Sequence, residues 1–496
     1  MSSALASLQS RPAPAEKFHI FCSSEYKFLF LSTGTTLCPV LPVWISSVRE
    51  LASRQYSARK GILMSPHPVR CQSLLRRFPA AVFLLSSMLF VTTPVPVYAA
   101  ESPQQSIKIG LNYPSSGRYK EQGLAQIRGA LLAVKEINSQ GGVNGQPLEL
   151  LRANTASKPE RAAANVDELI AQGAVMLFGG ASSSATIAAA ERAAQHKRIY
   201  FGTLGYDNEI TGLEGQRYLF REPYSSYMAA RALAEYMNTY LKGKKFFYLT
   251  AGSSEGWSME GALRSFTGTQ GITSHPAART PFPNPMHRDF QAALRKAVES
   301  GAEVLVVNQL GQDMVLALNE IYAMDLKKKM TVIVPNLTLG MAQAAGPGLM
   351  EGVIGAAPWT WKVPYQFNYQ RGKDFVEAFV QEYQLHPSSS AASAYSIVYQ
   401  FTDAVKRSGS TETEGLIAAL ENHRYKLLKD EQSWRDFDHQ NQQTVYVVRS
   451  RKRDDIMLSD MREDFFDILL DVSNTEMNQD EWQMVRTIND KPLVLE

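Results

Sequence analysis

From Ile107 onward the chain alternates short apolar runs with amphipathic stretches, and few folds accept that rhythm. Ile107–Leu111 reads as a strand. Leu124, Ile127, Leu131, Val134 and Ile137 then recur at spacings of three and four, as one face of a helix requires. Gly141-Gly142 and Asn144-Gly145 turn the chain back into a strand at Pro147–Leu151. A helix from Pro159 to Gln172, a strand at Val175–Phe178, a helix at Ser184–His196 and a strand at Arg198–Phe201 complete a first set. A second set follows: Ala229–Leu241, Ser258–Phe266, Asp289–Glu299 and Met314–Ala323 as helices, Phe246–Leu249, Val304–Val307 and Thr331–Val334 as strands. Strands separated by helices build parallel sheets with helices on both faces. Two sets of about 110 residues each predict two doubly wound lobes rather than one large sheet.

Past the second set, Phe375–Tyr383 and Ala391–Arg407 are helical and Val445–Val448 is the last clear strand. Residues 451–496 lose the pattern and read as an accessory tail packed on one lobe. At the other end, Arg70, Arg76 and Arg77 precede the uncharged run Phe78–Val91, and Val97-Tyr98-Ala99 supplies small side chains for cleavage. That is the pattern of a secretory signal peptide over residues 64–99, beginning at Met64. Its core is short for a membrane span and is followed by Pro94 and Pro96. Residues 1–63 are then a non-native or unusual leader.

Charge follows the same division. Residues 1–100 hold 10 of the 51 Lys and Arg but 3 of the 48 Asp and Glu, which leaves 41 basic against 45 acidic side chains in the remainder. A body with formal charge −4 has no electrostatic footprint for nucleic acid. Cys22, Cys38 and Cys71 also precede residue 101, so the body has no disulfide framework and no thiolate chemistry. His196, His275, His287, His386, His423 and His439 show no metal-ligand spacing, and no phosphate-binding glycine loop occurs; neither metal nor cofactor is expected.

Several short motifs, in order, resemble the periplasmic substrate-binding proteins of the branched-chain amino acid (Leu/Ile/Val-binding) type. These are Gly110-Leu-Asn-Tyr-Pro-Ser-Ser-Gly117, Gly123, Gly129, and Ile137-Asn-Ser-Gln-Gly-Gly-Val-Asn-Gly145. Gly179-Gly-Ala-Ser-Ser-Ser184, Ile210-Thr-Gly-Leu-Glu-Gly215, Phe220-Arg221, and Asp438-His-Gln440 before Val445-Tyr-Val-Val448 continue the likeness over roughly 106–450. The resemblance implies a type I periplasmic binding protein: α/β, two doubly wound parallel-sheet lobes joined by three crossovers. The first lobe would comprise 106–222 and 357–431, the second 223–356 and 432–450. It also implies a monomeric receptor in the periplasm that captures a small molecule by hinge closure and delivers it to ABC permease subunits in the inner membrane.

Ligands of such sheets sit beyond the carboxyl ends of the strands, where loop N–H groups and hydroxyls converge. Matched to the family, the expected contacts are Ser116, Gln122, Ala181, Ser183, Leu204, Gly205, Tyr206, Trp257 and Asn336. Ser182 reads as a helix cap, Ser183 as a ligand contact. Trp257 matches the aromatic side chain that covers the ligand, with core packing as the competing reading. Asn336 stands where amino acid binders carry an acid for the ligand's ammonium, and Asp313 is either its substitute or a helix cap. A neutral amide cannot compensate a buried ammonium. The ligand therefore need not be an α-amino acid; an amide, a urea-like molecule or an aromatic acid between Tyr206 and Trp257 fits as well.

Two other functions compete. One is a ligand-sensing module that reports to a partner. The other is a serine hydrolase, because Gly252-Ser-Ser-Glu-Gly256 matches a nucleophile elbow, with Asp403 and His439 as the available partners of Ser254. Nothing nearby in the sequence returns those two residues to Ser254, so a non-catalytic binding protein is the expectation.

Overall fold

A computed structural model describes residues 105–496. The leader, the signal peptide and the three cysteines lie outside the described residues.

The first lobe begins β1 (Ile107–Tyr113), α1 (Lys120–Ser139), β2 (Leu148–Asn154), α2 (Pro159–Ala171), β3 (Met176–Gly179), α3 (Ser183–Gln195), β4 (Tyr200–Gly202) and β5 (Leu219–Arg221). Its sheet runs β2-β1-β3-β4-β5, parallel throughout. β3 and β4 are buried along their whole length, which explains why they read as uninterrupted apolar runs. Pro159 stands in the first turn of α2, where its missing N–H has no partner to lose. Ser182 caps α3, its hydroxyl oxygen accepting from the Ala185 amide.

The second lobe contains α4 (Ser226–Tyr240), β6 (Phe246–Ala251), α5 (Ser254–Thr267), β7 (Ala277–Thr280), α6 (His287–Glu299), β8 (Val304–Asn308), α7 (Gly311–Ala323), β9 (Thr331–Asn336), α8 (Leu339–Ala345), α9 (Pro347–Met350) and β10 (Ile354–Ala357). The chain then returns to the first lobe through α10 (Val363–Gln366), α11 (Gln370–Tyr383), α12 (Ser389–Ser408) and α13 (Thr413–Leu420). Helix α12 lies against α1, where Gly129 meets the Ala391 backbone. A small antiparallel sheet follows, β11 (Arg424–Tyr425), β12 (Gln432–Trp434) and β13 (Asn441–Gln442). Last come β14 (Val445–Ser450), α14 (Arg453–Leu458), β15 (Phe466–Val472) and α15 (Gln479–Ile488).

The second sheet has seven strands, β15-β14-β10-β9-β8-β6-β7. β14 and β15 are antiparallel additions to a parallel core. These two sheets with their helices are the doubly wound lobes that the family resemblance implies.

Two boundaries differ from those expected. Residues 432–442 sit with the first lobe, because Trp434 is fully buried between Phe201 and Phe220, with ring centroids 5.6 Å from each. His439 stacks on Phe220 at 3.9 Å, and the chain crosses to the second lobe only at Gln443-Thr444. The tail touches both lobes rather than one. β15 extends the second sheet, while Trp482 of α15 donates its indole N–H to the Thr211 carbonyl at 2.8 Å, and the Arg217 amide donates to the Glu496 carbonyl. Residues 211–217 connect β4 to β5 in the first lobe.

The three crossovers, at 222–225, 358–362 and 443–444, are tied together by Lys429. Its buried ammonium donates to the Pro358 carbonyl (2.9 Å), Gln443 Oε1 (2.8 Å) and the Thr444 carbonyl (3.0 Å). Gln443 in turn donates to the Glu222 carbonyl. Burial lowers the Lys429 pKa to about 8 and raises that of Glu222.

Candidate functional site

The carboxyl ends of β1, β3, β4, β6, β8 and β9 converge between the lobes. Close backbone approaches aim the loops there. At Gly123 a Cβ would lie 1.9 Å from the Pro114 carbonyl oxygen, so only glycine lets α1 pack on the loop that carries Tyr119. At Gly256 a Cβ would lie 2.5 Å from the Ala251 oxygen, so α5 starts directly after β6 and thrusts Glu255 into the cleft.

A cavity of about 200 Å³ occupies this cleft, large enough for a small molecule only. The first lobe contributes Tyr119 and Ser182–Ser184. The second contributes Glu255, Phe282, Asn308, Gln309, Asp313 and Asn336, among others. No Lys, Arg or His belongs to its wall. Contacts bridge the lobes around it. Arg118 pairs with Asp313 and donates to Asn284 Oδ1 at 2.8 Å. The Ser183 hydroxyl donates to Glu255 Oε2 at 3.1 Å, and the Asn208 amide donates to Ser258 Oγ at 3.3 Å.

Glu255 is the pivotal group. Burial and the neighbouring Asp207 push its pKa up to about 8, against the Ser183 hydroxyl and the Tyr206 amide, which favour the charged form. Burial also holds Asp313 above the usual carboxylate range, although Arg118 opposes the shift. Asp313 lies in the first turn of α7, but Leu310 is the capping residue; its partner is Arg118.

Three amide oxygens in the cavity wall have no partner: Asn308 Oδ1, Gln309 Oε1 and Asn336 Oδ1. The hydrogen-bond network fixes two of these assignments. The Thr250 hydroxyl donates to Glu260 at 2.6 Å, so it can only accept from the Asn308 NH₂, at 3.2 Å. The Gln309 NH₂ donates to Thr280 Oγ1 at 3.0 Å and toward the Leu249 carbonyl at 3.4 Å.

The structure places Ser183 and Asn336 on the cavity. Gln122, Ala181, Leu204, Gly205 and Tyr206 instead border a void of about 20 Å³, room for one water, which shares Tyr119, Glu255 and Leu310 with the cavity. The cause is Tyr206, whose buried ring packs on Tyr224 at 5.1 Å and fills the space on that side of Glu255. Ser116 is exposed on the first loop, its hydroxyl accepting from Asn154 at 3.0 Å, and does not reach the cleft.

Trp257 also lies elsewhere. It is 48 % exposed, borders a separate cavity and has the Arg279 guanidinium 5.4 Å from its ring centroid. Two residues along a helix turn a side chain by about 200°, so once Glu255 faces the cleft Trp257 faces away. Tyr119, Glu255 and Gln309 were missed by sequence reasoning. For Glu255 the signal was available: α5 begins at Ser254, four residues before the start read from the pattern, and the helical phase then selects position 255.

Ser254, Asp403 and His439 do not come together as a hydrolytic triad. Ser254 borders the cavity, but His439 is buried against Phe220 and bonded to Glu421 at 3.1 Å. Asp403 pairs with Arg407 and His423.

Residues 106–455 match the family described as periplasmic binding protein. An amino acid binding protein of Pseudomonas aeruginosa is 24% identical over 66% of this chain and 86% of its own length. A periplasmic binding protein from Burkholderia mallei superposes with a TM-score of 0.67 at 22% identity, covering 76% of this chain and 97% of that one. A branched-chain amino acid transporter substrate-binding protein from Streptococcus pneumoniae, solved with isoleucine, gives 0.62 at 22% identity, covering 74% and 99%. Sheet order, crossovers and cleft agree with the sequence match over seven-tenths of the chain, and the protein belongs to the periplasmic binding protein family.

Proposed function

We propose that this chain is the periplasmic receptor of an ABC importer, exported by the segment at 64–99, which captures a small polar molecule by closing its lobes and presents it to a membrane permease. The supporting observation is the cleft cavity. Both lobes wall it, side-chain contacts bridge the lobes at its rim, and a three-strand hinge lies behind it. The two lobes face each other across it, and closure by hinge motion is how a receptor signals occupancy. Ser183, Asn336, Tyr119 and Glu255 are the proposed ligand contacts. Arg118 and Asp313 latch the rim. The relative solved with isoleucine supports a small-molecule cargo.

Thermal unfolding and small-angle scattering with amino acids, amides, urea, amines and aromatic acids test the proposal. A ligand at 100 times its Kd adds about 2.7 kcal/mol of stability, and the receptor reading expects a smaller radius of gyration with the same compound. A panel in which no compound raises the melting temperature or compacts the protein would overturn it.

A further inference from the structure

The first-lobe cradle that could receive an anion is already filled from within. The N-termini of α3 and α5 meet in the cleft, and helix N-termini favour negative charge. The carboxyl group found there is that of Glu255, which accepts from the Ser183 hydroxyl at 3.1 Å. An incoming carboxylate would find the Ser183 hydroxyl engaged and the space at the two helix N-termini already filled by the Glu255 carboxyl group. The cavity wall offers that carboxylate no Lys, Arg or His in exchange. It holds instead a second acid, Asp313, and the unpartnered amide oxygens of Asn308, Gln309 and Asn336, each residue more than nine-tenths buried. Buried acceptors without donors are costly unless a ligand supplies the hydrogens. Tyr119 and Phe282 complete the wall with aromatic surface, which accepts a cation's charge as readily as apolar bulk.

We infer that the ligand is a small organic cation without a carboxylate, an alkylammonium, amidinium or guanidinium, whose charged head meets Glu255 and whose N–H groups meet the amide oxygens of Asn308 and Gln309. Glu255 thus does two things. It occupies the cradle that would otherwise select an acid, and it presents its outer face to the cation. The inference deepens the receptor reading and rests on it.

Agmatine, putrescine and phenethylamine are the positive probes; leucine and benzoate are the negative ones, each titrated calorimetrically into the exported protein. At least one amine should bind, and at pH 7 its binding should release close to one proton, read from the dependence of heat on buffer ionisation enthalpy. A carboxyl titrating near pH 8 is mostly protonated there and must give up its proton to pair with a cation. Glu255→Gln should weaken amine binding at least tenfold and abolish the proton release. Should the Gln variant fold poorly, proton release by the unmodified protein still decides. Silence from all three amines, or amine binding unchanged in Glu255→Gln, overturns the inference. Binding of leucine or benzoate alone overturns it while leaving the receptor reading standing. If nothing binds and scattering shows no compaction with any compound, both fall.

Discussion

Glu255 shows how one side chain couples a helix start to ligand choice and to pH. In the folded protein it keeps its proton up to about pH 8, whereas in an unfolded chain it ionises in the ordinary carboxyl range. Between those values the folded state binds more protons, so this group's contribution to stability falls as pH rises from about 4.5 to about 8. The groups facing it are Asp207, Tyr119, Tyr206 and Tyr224, with Arg118 and Asp313 beyond Tyr119. None supplies an unpaired positive charge to reverse the sign. Glu255→Gln should therefore equal the parent protein near pH 5 and exceed it by pH 8.5, by about 1–3 kcal/mol. The gap is capped because the lobes can open and rehydrate the carboxylate. Denaturant melts at the two pH values measure it; a gap that shrinks with pH would contradict the assignment. The same residue marks the limit of sequence reading. Ser183 and Asn336 were singled out by matching the family's ligand positions residue by residue. Position 255 depends on helical phase, which a start misplaced by four residues destroys.

Elements with strong periodicity, such as α1, α2, α3 and α6, were legible almost to their ends. β5, β7 and β10 were not, because they are short and offer neither a clear alternation nor the uninterrupted apolar run that made the equally short β3 and β4 readable. β15 was missed for a different reason. Its sequence Phe-Asp-Ile-Leu-Leu-Asp-Val shifts register against β14 between Val447 and Val448, so polar and apolar residues do not alternate cleanly. β15 covers the edge of β14, and α15 buries Trp482 beneath Phe437, with ring centroids 5.4 Å apart. Removing residues 453–496 should expose the β14 edge and promote association between chains, visible as aggregates by light scattering. The milder Trp482→Ala should cost about 3 kcal/mol of docking energy. Hydrogen exchange would then speed up in α15 while β8 and β9 stay protected; equal loss across the protein would mean that α15 is not an independent unit.

At the scale of the molecule, two lobes and three crossovers followed from the order of elements and the family likeness, but the hinge chemistry did not. Lys429 lies in a stretch with no motif, and its partners are mostly backbone carbonyls, which no sequence pattern announces. Its ammonium joins two crossovers directly and the third through Gln443. Lys429→Met keeps the length of the side chain and removes the donors, leaving the Pro358 and Thr444 carbonyls unsatisfied. A loss of about 3 kcal/mol is expected, together with a calorimetric trace that separates into two transitions as the lobes lose their common anchor. A single sharp transition at the parent temperature would show that the ammonium does not couple them.

The tail gives the clamp a limited stroke. Only residues 473–478 connect β15 on the second lobe to α15 docked near 211–217 on the first. A fully extended chain spans at most about 3.5 Å per residue, so the two docking points can separate by roughly 25 Å before the slack is gone. Contour length thus sets an upper bound on the swing, and any wider gape requires the last helix to peel away first.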